Sequence, residues 1–161
     1  MSSISNARKT NMSKPSRAKM SLTVQYAVAR RGLPTTDTFR RWARAALFED
    51  ASVTLRLVGE GESRALNAAY RGRHYPTNVL TFPYRDGAPL SGDIALCIPL
   101  VRREASRQGK SLKAHLAHLT VHGMLHLQGY EHQAPLKAEL MEGLETEIVA
   151  KLGYPDPYRT A

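Results

Sequence analysis

Apolar positions along this 161-residue chain follow two periods, one near 2 and one near 3.6. From Leu22 to Ala29 they alternate with other residues, the pattern of a strand with one buried face. Pro34-Thr-Thr-Asp then opens a helix that runs to about Glu49, with Thr35 and Thr36 as N-cap candidates. Its apolar face holds Phe39, Trp42, Ala43, Ala46 and Leu47, and Arg40, Arg41 and Arg44 point elsewhere, which we read as a solvated face in preference to an RNA contact. Val53, Leu55 and Leu57 predict a second strand, and Glu62 to Tyr70 a short helix. Asn78-Val-Leu-Thr-Phe-Pro predicts a third strand that Pro83 ends. Asp86-Gly87 predicts a turn in a long hairpin loop, with Asp93 to Ile98 as the fourth strand. Pro99 starts a helix carrying basic residues to Lys113, and a histidine-bearing helix follows. Leu136 to Leu152 predicts a last amphipathic helix, stopped by Gly153. The expected fold is a single α+β domain over residues 21–161, one mixed sheet of about four strands with helices packed on it.

Charge changes this picture little. The formal net charge is +9, which points to an anionic partner. Seven of the basic residues fall in the first 36 positions, where there is no acid. The remainder carries sixteen basic and fourteen acidic residues, so the expected body of the fold is nearly balanced. Residues 1–20 read as a disordered basic leader. A nucleic-acid arm, an organellar transit peptide and an upstream extension compete for it, and we favour the extension, because the strand pattern begins just after Met20. No apolar run approaches the length of a membrane span, and a single cysteine, Cys97 in Ile94-Ala-Leu-Cys-Ile98, suits a reducing cytoplasm.

The candidate chemistry lies in His-Gly-Met-Leu-His-Leu-Gln-Gly-Tyr-Glu-His, residues 122–132. His122 and His126 are four apart, so a helix places them on one face where both can reach one metal ion. Gly129 offers a helix stop, after which the chain can bring His132 back toward them. Three imidazoles with an open fourth position describe a catalytic zinc site. His118 with His122 is an equally spaced pair. We favour His122 with His126, because a reversal and a third histidine follow closely, and we place His115 and His118 in a supporting layer or at the surface.

A second polar cluster, Asn67 to Pro83, contains Arg71. Its guanidinium is a fixed fork of donors suited to phosphate oxygens. Spacing alone leaves it equally able to cap the preceding helix through the last carbonyls.

From about residue 22 the chain resembles the YbeY family of metal-dependent endoribonucleases that mature ribosomal RNA. The resemblance rests on the 122–132 segment, on Asn-Ala-Ala-Tyr-Arg-Gly-Arg at 67–73 and on Thr-Asn-Val-Leu-Thr-Phe at 77–82. Ser-Gly-Asp-Ile at 91–94, Met141-Glu-Gly-Leu-Glu and the terminal Leu-Gly-Tyr-Pro-Asp-Pro-Tyr complete it. Glu131 stands where the family usually has aspartate, and the leader lies outside the matched part. The resemblance implies one zinc ion (Zn2+) held by His122, His126 and His132, with Arg71 in the cleft against the RNA backbone. It implies processing of the end of small-subunit ribosomal RNA and removal of defective ribosomes. The implied partners are the ribosome, a small-subunit ribosomal protein and an assembly GTPase, with no membrane. Two other classes compete. One is a noncatalytic RNA-binding assembly factor braced by its metal. The other is a zinc peptidase or amidase, for which His-Glu-x-x-His would be expected, whereas Gly123 occupies the glutamate position.

Overall fold

The computed structural model describes residues 18–84, 89–131 and 133–159. Most of the basic leader, the Asp86-Gly87 turn and His132 therefore lie outside the described residues. Among the described residues four strands form one sheet: β1 (Met20–Tyr26), β2 (Ala51–Val58), β3 (Val79–Tyr84) and β4 (Leu90–Cys97). Their order is β1-β2-β4-β3. β1 pairs parallel to β2, and β2 parallel to β4, with Leu55 opposite Ile94. β3 returns antiparallel along β4, with Thr81 opposite Ile94. Among the described residues there are five helices, α1 (Thr36–Ala45), α2 (Glu60–Arg71), α3 (Ile98–Gln108), α4 (Leu112–Leu127) and α5 (Pro135–Lys151). This is the α+β arrangement of one mixed four-stranded sheet and packed helices that the periodicity predicts. Among the described residues, no helix is long and apolar enough to cross a membrane.

Local chemistry explains most of the boundaries. Thr35 caps α1, its hydroxyl accepting from the Thr38 amide at 3.3 Å. Phe39, Trp42 and Ala43 are fully buried, with Phe39 and Trp42 edge to face at 5.3 Å. Arg41 and Arg44 are exposed, and Arg40 pairs with Asp37 at 3.0 Å, so this face is solvated as expected. β4 is the near-continuous apolar run Ile94 to Cys97, buried because strands flank it on both sides and helices cover it.

Several boundaries differ from expectation: α1 stops at Ala45 rather than near Glu49, β4 starts at Leu90 rather than Asp93, and two others have a clear physical cause. Pro83 does not end its strand, because β3 is the edge of the sheet and a missing N–H there costs no ladder bond. The helix begun near Pro99 stops at Gln108 rather than running to Lys113. Gly109 takes a left-handed φ of 66°, and Ser111 caps a new helix by accepting from the Ala114 amide at 3.0 Å.

The sheet fixes how closely α4 can lie. It crosses β3 and β4, and at Gly123 an added Cβ would sit 3.0 Å from Ile94 side-chain atoms. Beneath it, a Cβ at Gly92 would meet Leu127 at 2.7 Å and the Phe82 carbonyl at 2.9 Å. Gly92→Ala is expected to destabilise the protein by about 1–3 kcal/mol through overpacking. The check is chemical denaturation, in which the midpoint falls and the slope stays constant.

Candidate metal and nucleic-acid site

Helix α4 carries the histidines, and its end is built as the sequence suggests. The Tyr130 amide bonds the Leu125 carbonyl at 3.1 Å, the Gly129 amide bonds the His126 carbonyl at 3.1 Å, and Gly129 has a φ of 104°. This paired closure needs a left-handed residue after the helix, which glycine adopts without strain. Gln128 locks the turn to α1. Its Nε2 donates to the Ala46 carbonyl at 2.7 Å, and its Oε1 accepts from the Phe48 amide at 2.7 Å. The reversal after His126 is therefore held from two sides.

His122 and His126 lie one turn apart with nearly parallel rings, 10° between planes and 6.4 Å between centroids. His122 is half-buried, and His126 is exposed. Each ring has an oxygen partner on Nδ1. Glu145 Oε2 accepts from His122 Nδ1 at 2.7 Å, and His126 Nδ1 is hydrogen-bonded to Thr81 Oγ1 on β3. Such partners fix the orientation of an imidazole and leave Nε2 as the atom a metal would meet. The donor set fits a borderline cation such as zinc, which takes neutral imidazoles readily.

Glu145 anchors the other side. It is fully buried on α5, and its Oε1 accepts from His118 Nε2 at 2.7 Å and from the Tyr158 hydroxyl. Burial pushes the carboxyl up, but the bonds from His118, His122 and Tyr158 outweigh it and hold the group down at about 2. The Tyr158 hydroxyl is pushed up by burial and by the same carboxylate, so it remains a donor. The ligand atoms of His118, His122 and Glu145 lie within 4.8 Å of one another, a group that could hold a metal. In this structure they are joined by direct hydrogen bonds.

His115 and His118 are not surface residues, since both are buried. His115 Nε2 bonds Glu104 Oε1 at 2.9 Å, and burial pushes its pKa down against that bond. Glu131 pairs with Lys137 at 3.3 Å, so its longer side chain serves the turn between α4 and α5.

Arg71 ends α2 and is exposed. The capping alternative loses ground. The Gly72 amide takes the Ala68 carbonyl at 3.1 Å, and the Arg73 amide takes Asn67 at 3.3 Å. Among the described residues, the Arg71 guanidinium meets no carboxylate. The loop after it is clamped by two buried polar residues of α2, one turn apart. Asn67 Nδ2 donates to the Tyr75 carbonyl at 2.7 Å, and Ser63 Oγ accepts from the Thr77 amide and donates to its carbonyl, both at 3.0 Å. One cleft of about 620 Å³ is lined by Arg71, Thr81, His122, His126, Glu145 and Tyr158. Arg71 and two of the three expected histidines are thus brought together, and His132 lies outside the described residues.

Glu145, Thr81, Tyr158 and the Asn67 clamp were not foreseen as parts of the site. Asn67 and Thr81 lie in the polar cluster at 67–83, and Glu145 left a signal of its own. It falls at the core spacing Met141, Glu145, Ile148, where a carboxylate needs a buried partner. Gly123 is buried against Ile94, so the position that holds the base in His-Glu-x-x-His peptidases faces the core here.

Fold and cleft define a class: a small α+β protein whose histidine helix crosses a mixed sheet and faces an arginine at the end of a neighbouring helix. The family model for Endoribonuclease YbeY matches residues 28–153. The chain belongs to that family. It is 58% identical over 144 residues to the endoribonuclease YbeY of Aromatoleum aromaticum, covering 88% of this chain and 94% of that protein. It is 53% identical over 137 residues to that of Nitrosomonas europaea, covering 85% and 84%. A solution structure from Thermotoga maritima is similar in fold, with a TM-score of 0.53 at 24% identity, over 86% of this chain and 99% of that one.

Proposed function

We propose that this chain is a metal-dependent endoribonuclease that cuts single-stranded RNA, with ribosomal RNA as its substrate in the cytoplasm. The observation that carries the reading is the cleft that Arg71 shares with the paired, oxygen-backed His122 and His126. His122, His126 and His132 would hold the metal, and zinc suits that donor set. A zinc ion there would supply Lewis-acid polarisation of a phosphoryl oxygen. Arg71 binds the scissile phosphate and stabilises charge that develops on it, and the Ser63 and Asn67 clamp keeps the loop beside it in place. Glu145 orients His122, and Thr81 orients His126. His118 and Tyr158 satisfy the second oxygen of Glu145 and keep it ionised.

The test is cleavage of a single-stranded ribosomal RNA fragment by the purified full chain, with metal-stripped and zinc-restored lanes. Stripping is expected to abolish cleavage and zinc to restore it. Arg71→Ala is expected to slow it by about a hundredfold with zinc still bound, as for loss of one donor to a developing anion. Equal cleavage by stripped protein would sink the metal assignment. Tight RNA binding that ignores the metal, without cleavage, would favour the noncatalytic assembly factor. A 2′,3′-cyclic phosphate on the products would identify the ribose hydroxyl as nucleophile, and a 3′-hydroxyl with a 5′-phosphate would identify water.

A further inference from the structure

The cleft does not end at the histidines. Asn78, Leu119 and Tyr158 also line a second hollow of about 740 Å³, so the two share a wall. Glu104 and His115 lie in its lining and bond each other at 2.9 Å, and Asn78 Nδ2 donates to Glu104 at 3.0 and 3.3 Å. Around them stand Arg107 in the last turn of α3, Lys110 and Arg159. Lys110 is anchored by donating to the Pro157 carbonyl at 2.6 Å. Arg107 and Arg159 are exposed, and among the described residues neither guanidinium meets a carboxylate. Three cations thus surround one carboxylate that is already bonded to two neighbours. A volume of this size suits a ligand of about one nucleotide.

We propose that this hollow is a second RNA subsite. It takes the nucleotide flanking the scissile phosphate, and Arg107 and Arg159 bind that nucleotide's backbone phosphates. The assignment rests on the nuclease reading of the neighbouring cleft. It follows from continuity with that cleft and from charge, since a strand crossing the first site at Arg71 meets cations again beyond Tyr158. Guanidinium forks favour phosphate oxygens. Asn78 joins the two sites, because it lines both and holds Glu104 in place.

The test uses the full chain, the double variant Arg107→Ala/Arg159→Ala, and single-stranded RNA oligonucleotides sharing one cleavage position. These are lengthened one nucleotide at a time on either side of it. With wild type, kcat/KM is expected to rise on extension toward one side and then level off. The double variant is expected to lose about tenfold on the longest RNA and nothing on the shortest. The slope of log affinity against log salt, read by fluorescence anisotropy, should fall by about 1.4 for two lost phosphate contacts. An equal loss on the shortest RNA, or no loss on any, would overturn the subsite. Wild type that cleaves none of the RNAs would sink the nuclease reading instead. In that case the affinities and salt slopes still decide whether the hollow binds RNA. An unchanged thermal midpoint in the double variant excludes unfolding as the cause.

Discussion

Replacing His126 by alanine is expected to remove metal-dependent RNA cleavage and to leave the fold in place. The ring is exposed, so truncation should change stability by no more than about 0.5–1 kcal/mol. The metal it would help hold is worth several kcal/mol of transition-state stabilisation. At about 1.4 kcal/mol per factor of ten, its loss slows the reaction by about a thousandfold or more. The checks are zinc content by mass spectrometry, RNA cleavage, and thermal unfolding. His118→Ala provides the contrast. If zinc sits on His122, His126 and His132, the His118 variant retains metal while losing stability, because His118 is buried against Glu145. If zinc sits on the His118, His122 and Glu145 group, the His118 variant loses the metal and the His126 variant keeps it, and the preferred ligand set is wrong.

Glu145→Ala should be the most destabilising single change in the cleft, at about 3–5 kcal/mol. It removes a fully buried carboxylate that accepts from His118, His122 and Tyr158, and leaves those donors unpaired inside the protein. Glu145→Gln keeps the shape and one acceptor oxygen and should cost less. It should still weaken zinc binding by about 10–100-fold, because His122 loses its charged partner. Stability against pH gives a second readout in metal-stripped protein. The carboxyl is held at about 2 against an ordinary 4.5, so folding stabilises its charged form. That stability is present above about pH 4.5 and is lost as pH falls toward 2, an effect of about 3 kcal/mol. The Gln variant cannot titrate there, so the gap between it and wild type should narrow across this window. A constant gap would mean that Glu145 is not held ionised by its neighbours.

The elements were legible because they depend on near neighbours in sequence. Alternation at Val53, Leu55 and Leu57 places a strand wherever one face is covered, and the four-residue spacing of His122 and His126 is a property of any helix. Gly129 announced its own turn, since few other residues adopt that backbone cheaply. The cleft's supporting contacts were not legible. Glu145 lies 23 residues beyond His122, and Thr81 lies 45 before His126, so nothing local links either pair. Pro83 reads as a strand end until the strand order places β3 at the sheet edge. His118 reads equally as a supporting or a surface residue until α5 buries it against Glu145.

The sequence by itself determined the α+β architecture, the histidine helix with its stop, the arginine, and the family. The tertiary structure decided which groups hold those residues in place. A buried carboxylate takes the partners that long-range packing brings to it, and that packing is a property of the whole chain.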